Sequence, residues 1–140
     1  MTRRVIPDVV RDQELLELSA QATVREAADR MRSRHVGAVL ITEDGQLDGI
    51  FTERDMVYRV VAEGRDPERT LLAEVMTRNP DTIRPDTMAI DALRRMHDGG
   101  YRHLPVVDRG RLVGIVSRRD FFGLEKARLE EESDLWRKIG

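Results

Sequence analysis

Cysteine is absent from the 140 residues. That excludes disulfides, thiolate metal sites and a cysteine nucleophile. Only three histidines are present, which argues against a dedicated zinc site. No sign of charge prevails: 24 Lys and Arg stand against 26 Asp and Glu, a formal net charge of −2. No global field therefore favours nucleic acid or a membrane surface. No apolar run approaches membrane-spanning length, and Met1 to Arg11 lacks the apolar core of a signal peptide, so cytoplasmic residence is expected. His-Glu-x-x-His, P-loop and Gly-x-Gly-x-x-Gly patterns are also missing. What is present is 40% hydrophobic and 36% charged residues, the balance of a soluble globular chain. Its length suits one compact unit.

The chain repeats itself. Gly49-Ile50-Phe51-Thr52-Glu53-Arg54-Asp55 returns as Gly114-Ile115-Val116-Ser117-Arg118-Arg119-Asp120, at an offset of 114 − 49 = 65. Aligned at that offset, residues 22–56 and 87–121 share nine identities in 35 positions, four of them inside this one block. Two halves of this size would each be marginal alone, so mutual burial about a pseudo-two-fold axis is expected.

Each half reads as a short strand, a helix, two strands and a helix. Val24, Ala27, Ala28 and Met31 share a helical face, as do Ala89, Ala92, Leu93 and Met96. Ala38–Ile41 and Leu104–Val107 are buried strands, each joined by Asp44-Gly45 or Arg109-Gly110 to a second strand. Pro105 belongs near a strand edge. Met56, Val57, Val60 and Val61 give the following helix an apolar face that ends at Gly64. Leu72–Met76 is a short helical piece. One long polar helix is expected over Phe121–Ile139, with Trp136 as an exposed partner anchor or as a fold-back contact.

The recurring Gly-φ-φ-Thr/Ser-x-x-Asp block, where φ is apolar, allows two readings. A hydroxyl with an acid three residues on is a capping box, which stabilises a helix start by about 0.5–2 kcal/mol. The same groups form a ligand site: helix-start N–H groups welcome an anion, the hydroxyl donates to phosphate, and the carboxylate accepts from vicinal ribose hydroxyls. The glycine would leave room for a flat group against the backbone. Recurrence of glycine, hydroxyl and acid together favours the second reading.

These motifs, with Glu26-Ala27 to Met31, Asp91-Ala92 to Met96, Val75-Met76-Thr77 and Tyr101-Arg102-His103-Leu104-Pro105-Val106-Val107, resemble a CBS-domain pair, or Bateman module. The resemblance runs from about Asp8 to Leu124 and implies an α/β (α+β) fold of tandem β-α-β-β-α repeats. The repeats would span residues 8–70 and 71–124, with a tail at 125–140. It implies two clefts for adenosine compounds: AMP, ADP or ATP, and in some members NAD or S-adenosylmethionine. Thr52 and Asp55 would serve one cleft, Ser117 and Asp120 the other. Leu16–Leu18 and Asp81–Ile83, with Thr82, would wall the base pockets.

Gly37-Ala38 in the first half correspond to Arg102-His103 in the second, while Arg54 and Arg119 match. An arginine fork suits phosphate, so the clefts are expected to differ, one preferring a phosphorylated nucleotide. Arg102 and His103 also read as a solvated charge and a satisfied strand-end histidine. His35 and His97 stand near helix ends, where a cation complements the dipole, and are given no ligand role. Arg65–Arg69 and Arg94–Arg95 read as solvated faces. The expected function is a homodimeric, non-catalytic sensor of an adenine nucleotide that acts on a partner protein. No catalytic cofactor, metal, nucleic acid or membrane is expected. The rivals are a ligand-free interaction module and a nucleotide-converting enzyme.

Overall fold

The computed structural model describes residues 3–122. In the first half the Thr23 hydroxyl accepts the Glu26 N–H at 3.1 Å and opens helix α1, Val24–Arg34. Its buried face is Val24, Ala27 and Met31. Helix α4, Ala89–Gly99, buries Ala89, Ala92 and Met96 in the same pattern. Each helix leads into a hairpin: β2 (Ala38–Glu43) with β3 (Gln46–Thr52), and β5 (His103–Asp108) with β6 (Arg111–Ser117). Asp44-Gly45 and Arg109-Gly110 have positive φ at both positions, the turn that matches strand twist. Registers agree across the halves: Leu40 opposes Ile50, and Pro105 opposes Ile115.

Side chains alternate across the first hairpin. Val39, Ile41 and Phe51 pack beneath α1 with Val24, Ala27 and Met31. Ala38, Leu40 and Ile50 point the other way and meet Leu112 and Ile115 of the second hairpin, with Leu15 and Leu47 beside them. That cluster is the seam between the halves.

The segments that precede the two halves are exchanged. Val5 and Val10 sit in the second half's core with Ala92, Met96 and Leu104. Leu72 and Val75, of the short helix α3 (Leu72–Val75), sit with Met76 in the first half's core. The backbone follows: Val5 N–H donates to Thr87 O at 2.8 Å, and Leu72 N–H donates to Ala22 O at 2.9 Å. Each core is thus built from two separate stretches of chain.

The halves also differ. Strand β1 (Glu17–Leu18) runs parallel to β2, supported by Leu40 N–H donating to Leu16 O at 2.9 Å. Its counterpart is a single bridge from Ile83 to Val106. Pro105 stands where Leu40 stands, since 40 + 65 = 105, and has no N–H to give. A further strand, β4 (Thr77–Arg78), completes the first sheet in the order β1-β2-β3-β4.

After β3, helix α2 (Glu53–Asp55) opens into wider turns over Met56–Val61, in which Ala62 N–H reaches back to Val57 O. That winding buries Val60 but leaves Val57 and Val61 54% and 69% exposed, so the expected four-residue apolar face is only half realised. After β6 comes a tight turn, Arg118–Phe121. Phe121 and Phe122 are described; the remainder of the expected tail helix, with Trp136, lies outside the described residues.

Candidate functional site

Both motif ends are capping boxes. In the first, the Thr52 N–H and hydroxyl donate to Asp55 Oδ2 at 3.0 and 3.1 Å, and Asp55 N–H donates to Thr52 Oγ1 at 3.3 Å. In the second, the Ser117 N–H and hydroxyl donate to Asp120 Oδ2 at 2.6 and 3.1 Å. The bland reading of the motif therefore holds in both halves. What differs is the other carboxylate oxygen. Asp55 Oδ1 lies 3.6 Å from Arg59 Nε, and Arg59 Nη1 is itself anchored to Val75 O and Met76 O, both at 3.1 Å. Asp120 forms no ion pair among the described residues and lines a cavity.

That cavity, of about 1070 Å³, lies between the halves. The first half supplies Gln13–Leu16, the end of α1 with the start of β2 (Arg34–Ala38), and Glu53. The second supplies Leu93, Arg94 and His97 of α4, then Arg102, His103 and Ser117–Phe122. Five arginines line it (Arg34, Arg94, Arg102, Arg118 and Arg119) against Glu14, Glu53 and Asp120. Two of the five are engaged: Arg34 donates to Glu14 O, and Arg94 lies 3.6 Å from Asp91. Arg102, Arg118 and Arg119 form no ion pair among the described residues, and a guanidinium fork suits an anion. Leu15, Leu16, Leu40, Ile90 and Leu93 give the same space an apolar side. A ligand with a flat apolar body and an anionic end matches that division. His103 is partly buried in this wall. Burial pushes its imidazole below the ordinary 6.5, Glu53 and Asp120 pull it upward, and Arg102 pushes it further down.

The CBS-domain family model matches residues 1–62 and 72–126. The chain belongs to the CBS-domain family. A CBS domain-containing protein of Arabidopsis thaliana, CBSCBSPB2, is 45% identical over 102 residues, which cover 72% of this chain and 19% of that protein. The chain thus spans about a fifth of the length of that curated relative. Among solved structures, a putative signal-transduction protein with CBS domains from Burkholderia ambifaria superposes with a TM-score of 0.82 at 26% identity, covering 91% of this chain and 95% of that one. The CBS domain protein PAE2072 from Pyrobaculum aerophilum, complexed with AMP, gives a TM-score of 0.73 at 26% identity, covering 81% and 86%.

Of the residues singled out from the sequence, the pair of CBS repeats brings Gly37, Ala38, Arg102, His103, Ser117, Arg119 and Asp120 to one cavity. Gly37-Ala38 and Arg102-His103 were expected in separate clefts. They share one: a Cβ built on Gly37 would stand 3.4 Å from His103 Cε1. Thr82 and Ile83 line a second, smaller hollow of about 510 Å³ with Arg84, Arg94 and Arg95. Thr52, Arg54, Asp55 and Leu18 line neither hollow. Arg54 instead stacks over the Tyr58 ring, 5.5 Å from its centre.

The glycine of the motif has a different role from the one its sequence suggested. A Cβ on Gly49 would come within 2.7 Å of Thr77 O, and one on Gly114 within 2.9 Å of Gln13 Oε1. The chain itself fills both spaces, so no ligand lies flat there. Sequence reasoning missed Gln13, Arg34, Glu53, Arg94 and the two helix-end histidines, His35 and His97, all of which line the cavity. Arg34, His35, His97 and Glu53 share one signal, a position at a helix end, whereas Gln13 in its connecting segment and Arg94 in mid-helix carried none. Among the described residues no cluster of His, Asp or Glu is arranged to hold a metal ion, and no helix is long and apolar enough to cross a membrane.

Proposed function

We propose that the cavity between the repeats binds an adenine nucleotide and that the chain is a regulatory sensor, not an enzyme. Binding would shift the protein between shapes, or between dimer geometries, that a partner protein distinguishes. One observation carries this reading: the Asp120 carboxylate, held by Ser117 through one oxygen, faces a cavity that also holds Arg102, Arg118 and Arg119. A ribose on Asp120, a phosphate on the arginines and a base against Leu15 and Leu16 use each wall for what its chemistry suits. The AMP complex of the structurally similar PAE2072 supports the ligand class. The first repeat's Asp55 is engaged by Arg59, which supports one strong site per chain.

Calorimetric titration with AMP, ADP and ATP tests it. The expected result is one site per chain, weakened at least about tenfold by Asp120→Asn and little changed by Asp55→Asn, since both substitutions weaken a cap but only one touches the cavity. NAD and S-adenosylmethionine belong in the same screen as alternative ligands. If none of the five raises the melting temperature at saturation, the chain is a ligand-free interaction module. A homodimer is part of this reading, and light scattering with and without nucleotide measures it.

A further inference from the structure

Strand β3 and strand β6 are equivalent, but their outer edges are closed by different means. At β3 the backbone of β4 does it: Thr77 opposes Ile50 and Arg78 opposes Gly49. At β6, among the described residues, no strand plays this part. A side chain does: Gln13 Nε2 donates to Ile115 O at 2.7 Å, and Ile115 N–H donates to Gln13 Oε1 at 3.0 Å. The amide of one glutamine thus imitates a strand residue, pairing both backbone groups of the residue that matches Ile50, since 50 + 65 = 115.

The connection that carries Gln13 is longer than its counterpart. The positive-φ residues Asp12 and Asn79 correspond at 79 − 12 = 67, whereas Leu18 and Ile83, each bridged to the neighbouring strand, correspond at 83 − 18 = 65. The first half therefore has two more residues in this passage, and Gln13–Leu16 is the stretch that walls the cavity. Ile115 lies in that wall too, two residues before Ser117.

We infer that Gln13 is a positioning residue for the ligand site: its amide clamps the extra-length wall onto the strand that presents Ser117 and Asp120, and so fixes the width of the cavity. This rests on the nucleotide reading above. Gln13 is exposed, so water competes for both bonds and the expected effect is moderate. Gln13→Met, which keeps the volume and removes both bonds, weakens AMP and ATP binding roughly fivefold. Gln13→Glu keeps the acceptor but sets a carboxylate against Ile115 O. Its loss of affinity is similar near neutral pH and shrinks relative to Gln13→Met as the solution is acidified to pH ~4, below the ordinary glutamate value of about 4.3, because a protonated glutamic acid donates to Ile115 O again. A merely structural contribution to stability does not predict that pH-dependent rescue.

The experiment is calorimetry with AMP and with ATP on wild type and both variants at the two pH values, with melting temperatures in parallel. Wild-type binding that both variants retain in full overturns the role of Gln13 and leaves the nucleotide reading intact. Equal losses in the two variants at both pH values overturn the clamp. A wild type that binds neither nucleotide overturns the nucleotide reading and this inference with it.

Discussion

His103 of the second repeat and Glu53 of the first converge over Gly37: a Cβ built there would stand 3.2 Å from Glu53 Oε1 and 3.4 Å from His103 Cε1. Three parts of the chain, remote in sequence, thus meet at one point of the cavity wall. A Cβ at Gly37 would crowd these two side chains by a few tenths of an ångström, and its backbone is not in the left-handed region.

Stability follows the pH through this contact. Burial holds the folded-state pKa of His103 below its ordinary 6.5, with Arg102 acting the same way against Glu53 and Asp120. As pH falls below about 6.5, the unfolded chain takes up a proton at this residue before the folded one does. The folded state therefore keeps its full stability above that pH and loses part of it on acidification. Urea denaturation between about pH 7.5 and pH 5 should show a decline that is shallower in His103→Gln. An equal slope in the variant would mean that other groups carry the acid sensitivity.

Arg59 joins α2 to the end of α3. It donates to Val75 O and Met76 O and faces Asp55 at 3.6 Å. Arg59→Ala leaves two carbonyls without this donor and frees the Asp55 carboxylate. Because Arg59 is about half exposed, water compensates in part, and a loss of about 1–2 kcal/mol is expected. Chemical denaturation measures it. Nucleotide affinity should stay near wild type, since Arg59 lines neither hollow.

The sequence made the repeat legible because duplication preserves local rules. Helix faces at Val24, Ala27 and Met31, turns at Asp44-Gly45 and both capping boxes are short-range patterns, and each is where its spacing placed it. The cavity was less legible because it is made across the dyad. No local pattern says that Gly37 and His103 are neighbours, or that Arg59 approaches Asp55 while Asp120 forms no ion pair among the described residues. The exchange of Val5–Val10 and Leu72–Met76 between cores was hidden for the same reason, because a repeat unit in sequence need not be a packing unit in space.

His35 ends α1 in the left-handed conformation, with φ 54°, where the second repeat has Gly100 at φ 71°. The two correspond, since 35 + 65 = 100. A side chain there is strained by about 1–2 kcal/mol, offset in part by the greater freedom of glycine in the unfolded chain. His35→Gly should therefore raise stability by roughly 0.5–1 kcal/mol, read as a higher denaturation midpoint. An unchanged or lower midpoint would show that the imidazole contributes contacts worth more than the strain.

The two motif glycines should respond unequally to the same substitution. At Gly49 the obstacle is backbone: an added methyl would come within 2.7 Å of Thr77 O, with Met76 Sδ at 2.8 Å, so β4 must move off β3. At Gly114 the obstacle is Gln13 Oε1 at 2.9 Å, the end of an exposed side chain that can swing into water. Gly49→Ala should cost about 2–3 kcal/mol, and Gly114→Ala about 1 kcal/mol or less. Thermal and urea unfolding of the two variants compare them directly. The cheaper substitution is the one expected to affect the ligand more, because displacing Gln13 frees the cavity wall, whereas displacing β4 disturbs an edge remote from it. Equal costs, or tight nucleotide binding by Gly114→Ala, would mean that the edge of β6 is held by something other than this amide.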